Sequence, residues 1–197
     1  TSMVREIHNR NPGIQELQLS HLTAGVKWIS DYVRTVGEKD QQIKLTGWVT
    51  IENRSGTAYT DAKLKLVAGD VNRVQDTPQP MMYKTMRAEA VMADGMAPQF
   101  NEQSFFEYHL YTLQRPATVR NNEMKQIEMM NAQDVSDRKI YKVENGGKPQ
   151  VKLEFENKKE NGMGMPLPKG RVRLYKKDSE GSLQFIGEDQ IDHTPKD

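Results

Sequence analysis

From Ile43 to Glu52 the chain alternates without a break: Ile43, Leu45, Gly47, Val49 and Ile51 fall on one side, and Lys44, Thr46, Trp48, Thr50 and Glu52 on the other. A helix, with about 3.6 residues per turn, would smear this pattern around its circumference, whereas a strand gathers it onto one face. The run is therefore a strand with one side for a core and one for water, and any fold of this chain is built around a sheet. Asn53-Arg54-Ser55-Gly56 turns the chain. Ala62, Leu64, Leu66 and Ala68 then alternate against Lys63, Lys65 and Val67, so the two runs read as an antiparallel hairpin.

The layout recurs near the other end. Val151, Leu153 and Phe155 alternate with Lys152, Glu154 and Glu156, and Val172 and Leu174 sit between Arg171, Arg173 and Lys176. Val49-Thr50-Ile51-Glu52-Asn53 aligns with Leu153-Glu154-Phe155-Glu156-Asn157, and Lys63-Leu64-Lys65-Leu66 with Arg171-Val172-Arg173-Leu174. This reads as a weak internal repeat of hairpins. Asp178-Ser179-Glu180-Gly181 is a tight turn into Leu183, Phe185 and Gly187. Strands are predicted at 42–52, 62–68, 105–112, 151–156, 171–176 and 183–187, with further ones at 26–36 and within 124–143.

Eight or nine short strands separated by turn residues predict an all-β chain, one antiparallel β-sandwich or two in tandem, of a kind that includes immunoglobulin-like arrangements. The expected organisation is a leader over 1–19, whose Ile14 and Leu17 have loosely helical spacing; a first β-sandwich region over 20–134; and a second β region over 135–197. Within the first region, residues 75–104 carry Pro78, Pro80, Pro98 and five methionines with no strand period. They predict a long, mobile Met/Pro-rich insert loop, of the length that is functional or disordered. At 197 residues the chain can bury roughly 70% of its unfolded surface without staples.

Composition narrows function by exclusion. No cysteine is present, which removes thiolate catalysis, disulfides and Cys-ligated metals. The 28 basic and 27 acidic side chains nearly cancel, and no basic block of five occurs, so nothing recruits nucleic acid or an anionic membrane by bulk charge. No run approaches the 18 or so apolar residues of a membrane-spanning helix. His8, His21, His109 and His193 have no metal-ligand spacing, and no Gly-x-Ser-x-Gly surrounds any serine. His109 reads as a half-exposed sheet histidine, and the group Glu188, Asp189, Asp192 and His193 as a solvated turn. Gly162-Met163-Gly164-Met165 lacks the lysine and hydroxyl of a phosphate loop. No catalytic residue, metal ligand or cofactor is expected, although 27 acids leave a carboxylate pair for glycan cleavage open.

One loop stands out. In Gly162-Met163-Gly164-Met165-Pro166-Leu167-Pro168-Lys169-Gly170, prolines fix φ while glycines free it, and Met163, Met165 and Leu167 ride along. These three are the candidate binding residues, presented as an apolar contact loop; the competing account is that they cap the sandwich core. Residues 152–177 hold eight Lys/Arg against three Glu, and 178–197 six Asp/Glu against one Lys, so adjacent strands of opposite charge are expected to pair across a sheet.

Leu19-Ser20-His21-Leu22-Thr23, Trp48 through Gly56, Leu66-Val67-Ala68-Gly69-Asp70, Gly164-Met165-Pro166-Leu167-Pro168, and Gly187-Glu188-Asp189 through His193-Thr194-Pro195 together resemble the uncharacterised C-terminal domain of bacterial mucoidy-inhibitor-like proteins. The likeness covers residues 17–74 and 104–197. It implies a largely β domain in exported proteins, hence a periplasmic or secreted location, with no assigned catalytic residues. The chain opens Thr1-Ser2-Met3 and ends where that family's pattern continues, so it reads as an excised piece whose last sheet edge is cut open. The function expected is a non-catalytic exported module that contacts a protein or a cell-envelope polymer. The alternatives are a carbohydrate-binding module and a glycan-acting hydrolase using paired carboxylates.

Overall fold

The computed structural model describes residues 18–37, 43–69, 99–105, 108–143 and 147–196, with 8, 13, 14 and 16. Among them 59% lie in strands and 2% in helix, so the chain is all-β. The strands are β1 (Val26–Val36), β2 (Ile43–Asn53), β3 (Tyr59–Ala62), β4 (Lys65–Ala68), β5 (Phe100–Phe105), β6 (Tyr108–Leu113), β7 (Ala117–Val119), β8 (Glu123–Ala132), β9 (Asp137–Lys142), β10 (Gln150–Phe155), β11 (Gly170–Lys177) and β12 (Leu183–Ile191). The largest sheet has the order β12-β11-β1-β2-β8. A three-stranded sheet β4-β6-β5 and the pairs β3-β7 and β10-β9 complete the set.

The alternation in β2 does what its period requires. Ile43, Leu45, Val49 and Ile51 are buried and pack in one cluster with Leu66, Ala68, Phe100, Tyr111 and Leu113 of the three-stranded sheet. Two sheets sharing one apolar interior make a β-sandwich. Gly47 completes the buried face because a Cβ there would stand 2.8 Å from Met130 Cγ and 3.2 Å from the Tyr32 ring. The absent side chain lets β1 and β8 send large groups over the middle of β2. The immunoglobulin likeness is a narrower matter of strand order, and an order in which β1 runs parallel to β11 does not establish it.

Several pairings differ from the sequence reading. β2 and the 62–68 run do not form a hairpin: β2 is flanked on both sides, by β1 and β8, so the chain crosses to the facing sheet and β4 pairs with β6. The second expected hairpin divides in the same way, β10 pairing with β9 and β11 with β1 and β12. Period-2 patterning names a strand's faces and leaves its neighbours open. β11 and β12 therefore lie in one sheet with β1, β2 and β8, and the expected line between 134 and 135 runs through a shared sheet.

The insert expected over 75–104 lies mostly outside the described residues, but its last part is strand: Phe100 is in the core and β5 pairs antiparallel with β6 from Phe105↔Tyr108 to Phe100↔Leu113. Phe-Asn-Glu-Gln-Ser-Phe has apolar side chains only at its ends, which hides it from a periodicity reading. The helical leader also falls mainly outside the described residues; 18–24 are exposed and carry neither helix nor strand. The turn at Asp178–Gly181 is present, with Asp178 Oδ1 accepting from the Glu180 and Ser182 amides. The charge blocks meet as expected: Arg171 and Arg173 lie 3.8 and 3.7 Å from Glu188 across the β11–β12 ladder.

Candidate functional site

Three places combine polar chemistry with concavity or close approach. The first is the 162–170 loop. It begins with a 3-10 turn, Lys159–Asn161, closed by Gly162 at φ 70, where a Cβ is strained. Asn157, buried two residues past the end of β10, ties the loop down: its Nδ2 donates to Met165 O (2.8 Å) and Pro195 O (3.0 Å), and its Oδ1 accepts from the Gly164 amide (3.1 Å). Asn53, its counterpart in the sequence repeat, does the same for its own loop, donating to the carbonyls of Thr57, Val119 and Arg120 and accepting from Ser55. The repeat is thus a repeat of a strand-end asparagine that pins the following turn, rather than of hairpins.

The two sheets then hold the loop from both sides. Tyr32 of β1 donates to Pro168 O at 2.7 Å, Tyr111 of β6 to Pro166 O at 2.9 Å, and Ser30 Oγ to Lys169 O at 2.6 Å. Burial pushes both tyrosine hydroxyls well above the ordinary phenol range, so they act as fixed donors. Leu167 exchanges backbone hydrogen bonds of 2.8 and 2.9 Å with Thr194. Its side chain is 0% exposed, within the core cluster. That corrects the expectation that Leu167 is presented to a partner: prolines cannot donate, but their carbonyls accept, and two buried tyrosines draw the Pro-Leu-Pro segment inward. Met163 and Met165 are half-buried against the same cluster. The capping account describes the loop.

The second place is a cavity of about 680 Å³ between β10 and the β11–β12 side of the large sheet. Its floor holds Arg34, 3% exposed on β1, and its walls Leu153, Phe155, Val172, Leu174 and Ile191, with Val151 and Ile186 at exposed positions. The Arg34 guanidinium holds the β9–β10 hairpin onto the sheet. It donates to Asp137 Oδ2 at 2.5 Å and Leu153 O at 3.4 Å and lies 5.1 Å from the Phe155 ring centroid. Its Nε is buried without a partner. Burial lowers the affinity of Arg34 for its proton, and Asp137 opposes this. β12 pairs with β11 alone among the described residues, so its other edge flanks the cavity unpaired; Phe185 and Ile186 there are 54% and 53% exposed.

The third place joins residues that the sequence reading left apart. The His109 and His193 rings lie 4.7 Å apart, and Glu102 Oε1 is 2.7 Å from His109 Nδ1. His109 is the part-exposed sheet histidine expected, at 25% exposure on β6, but a second imidazole meets it there, and His193 is part-buried rather than a side chain of a solvated turn. Strand β6 and the tail after β12 are distant in sequence, and no spacing rule signals their meeting. Among the described residues no group of three His, Asp or Glu side chains is placed to hold a metal ion.

Among the described residues the buried acids are Glu52 and Glu128, both on the outer face of the large sheet. Glu128 stands opposite Trp48, four residues along β2 from Glu52. That offset is about 13 Å along a strand, beyond the roughly 5–9.5 Å that carboxylate pairs use to cleave glycosides. Lys27 and Arg54 engage Glu52 and hold its carboxyl below the usual range, whereas burial raises that of Glu128. Among the described residues no helix is long and apolar enough to cross a membrane. Comparison with family models, curated proteins and solved structures yields no match to this chain.

Proposed function

We propose that this chain is a non-catalytic β-sandwich module of exported proteins, related to the C-terminal domain of mucoidy-inhibitor-like proteins, and that it binds an extended polypeptide by strand addition at β12. The observation that carries the reading is the unpaired β12 edge beside a concavity. A strand laid along Leu183–Ile191 gains backbone hydrogen bonds from the edge and directs alternate side chains into the 680 Å³ cavity. The bulge at Ile186, the extra residue between the Leu174↔Gly187 and Tyr175↔Phe185 pairs, and the acids Glu188 and Asp189 are what natural edges carry against indiscriminate pairing, so this edge is selective. Family kinship is supported by where the resembling strings fall: Asn53 through Gly56 and Gly164 through Pro168 form the two asparagine-pinned turns. The loop of Met163, Met165 and Leu167 packs on the core and contributes no free surface at Leu167.

The test is selection from a displayed library of random peptides, followed by amide-exchange footprinting of the winners. Peptides with alternating apolar residues, protecting 183–191 and failing to bind an Ile186→Lys variant, are the expected result. A footprint elsewhere, or binding of envelope polysaccharide with no peptide selected, overturns the strand-addition reading. Polysaccharide binding would move the module to the carbohydrate-binding class.

A further inference from the structure

His193 lies on the short tail that follows β12, and this tail closes over the Pro-Leu-Pro loop. Thr194 bridges to Leu167 through two backbone hydrogen bonds, and Pro195 O accepts from Asn157. Within the tail, Asp192 Oδ1 accepts from the His193 amide, and Thr194 Oγ1 donates to Asp192 O. Among the described residues the one ring contact joining the tail to the three-stranded sheet is the His193–His109 pair, 4.7 Å between centroids with the planes 33° apart. The two imidazoles are not equivalent. His109 Nδ1 has the Glu102 carboxylate at 2.7 Å, whereas His193 Nε2 is buried with no acceptor. The ring that faces Glu102 has a carboxylate beside its nitrogen, but a proton added to His193 charges a ring packed against another imidazole and leaves a buried N–H with nothing to receive it.

We propose that the His109–His193 stack is an acid-sensitive latch: protonation of His193 drives the 192–195 tail off the loop, freeing the Leu167 backbone edge and the strand-end asparagine beneath it. The groups acting on His193 are His109 from β6, Glu102 from β5 and Asp192 from the tail itself. Burial first, and then His109, hold the His193 imidazole below its ordinary value of 6.5, with Asp192 and Glu102 pulling the other way. A base held down in the docked state binds its proton better once the tail is free. Docking is therefore strongest above about pH 6.5 and weakens as the pH falls through that value and below it.

Amide exchange of Leu167 and Thr194, each donating to the other's carbonyl, reports the latch directly. Measured by nitrogen-15 NMR at about pH 7.5 and about pH 5, with intrinsic rates divided out, their protection factors are expected to fall by about tenfold or more. Protection at Val49 and Ile127, in the centre of the large sheet, stays constant. In a His193→Gln variant, which cannot gain charge, protection of Leu167 and Thr194 is the same at both pH values. Equal protection in the wild type across the range, or a parallel fall in the variant, overturns the proposal. Should the variant fail to dock its tail, the wild-type titration decides alone. The loss of protection must begin near the ordinary histidine value of about 6.5 and level off where the His193 ring shifts titrate, and a loss that begins only in the carboxylate range overturns the latch.

Discussion

Replacing Leu167 by alanine separates packing from presentation. The side chain is fully buried, between a carbonyl held by Tyr32 and one held by Tyr111, in contact with the core cluster. Truncation removes three carbons, about 2.4 kcal/mol at roughly 0.8 kcal/mol per buried methylene. A cavity term follows because the flanking Pro166 and Pro168 have fixed φ and their carbonyls are hydrogen-bonded, so the segment is poorly able to collapse into the gap. The sum falls at about 3–5 kcal/mol, within the range of buried leucine truncations. Urea unfolding followed by far-ultraviolet circular dichroism is the assay: the midpoint drops by at least about 1 M at an unchanged slope. Met163→Ala and Met165→Ala, at half-buried positions, each cost less than Leu167→Ala. A loss below about 1 kcal/mol at Leu167, in the range of ordinary surface changes, would refute the packing argument and return the loop to its role as a contact surface.

Arg34→Met leaves Asp137 without its cation and is expected to cost about 3 kcal/mol, most of it recovered in the double variant with Asp137→Leu. A double variant as unstable as the single one would show that Arg34 does not anchor the hairpin electrostatically. Glu128 is buried with Oε2 unpartnered and its carboxyl raised, so its contribution to stability is present below about pH 4.5 and is lost as the pH rises through the folded-state value. Glu128→Gln should raise the melting temperature at neutral pH by about 2–4 °C, as expected for about 1 kcal/mol, and the gain should vanish near pH 4; a gain that is constant with pH would contradict this account. At Gly170 a Cβ would fall well inside contact with the Ser30 carbonyl oxygen and Oγ. Gly170→Ala should therefore lower stability by about 2 kcal/mol or more, with exchange protection lost first along β1 and β11.

Strand periodicity was enough to place β1, β2, β11 and β12, because a buried face with period two is a local property that survives whatever the strand pairs with. The candidate site was legible only in part. Gly162–Gly170 stood out by its prolines and glycines, but whether Leu167 faced water or core depended on Tyr32 and Tyr111, and neither tyrosine's sequence context points to a proline carbonyl far along the chain. The Asn53 and Asn157 repeat was visible as aligned letters, while its meaning, two side chains pinning two turns, needed coordinates. β5 went unread because its apolar residues stand only at its ends.

The sequence by itself determined the class of the fold: alternation, turn residues and the near-absence of helical spacing leave little but β-sheets, whereas the parallel pairing of β1 with β11 has no local signal. Which strands became neighbours was decided only in three dimensions, since each strand edge offers the same backbone donors and acceptors, and only competition among all edges assigns β2 to β1 and β8 and sends β4 across to β6. The same holds for the His109–His193 stack and for Arg34 over Phe155, where residues with no local signal meet because sheets pack. Chemistry at those meetings comes from burial and proximity, and both are properties of the closed sandwich.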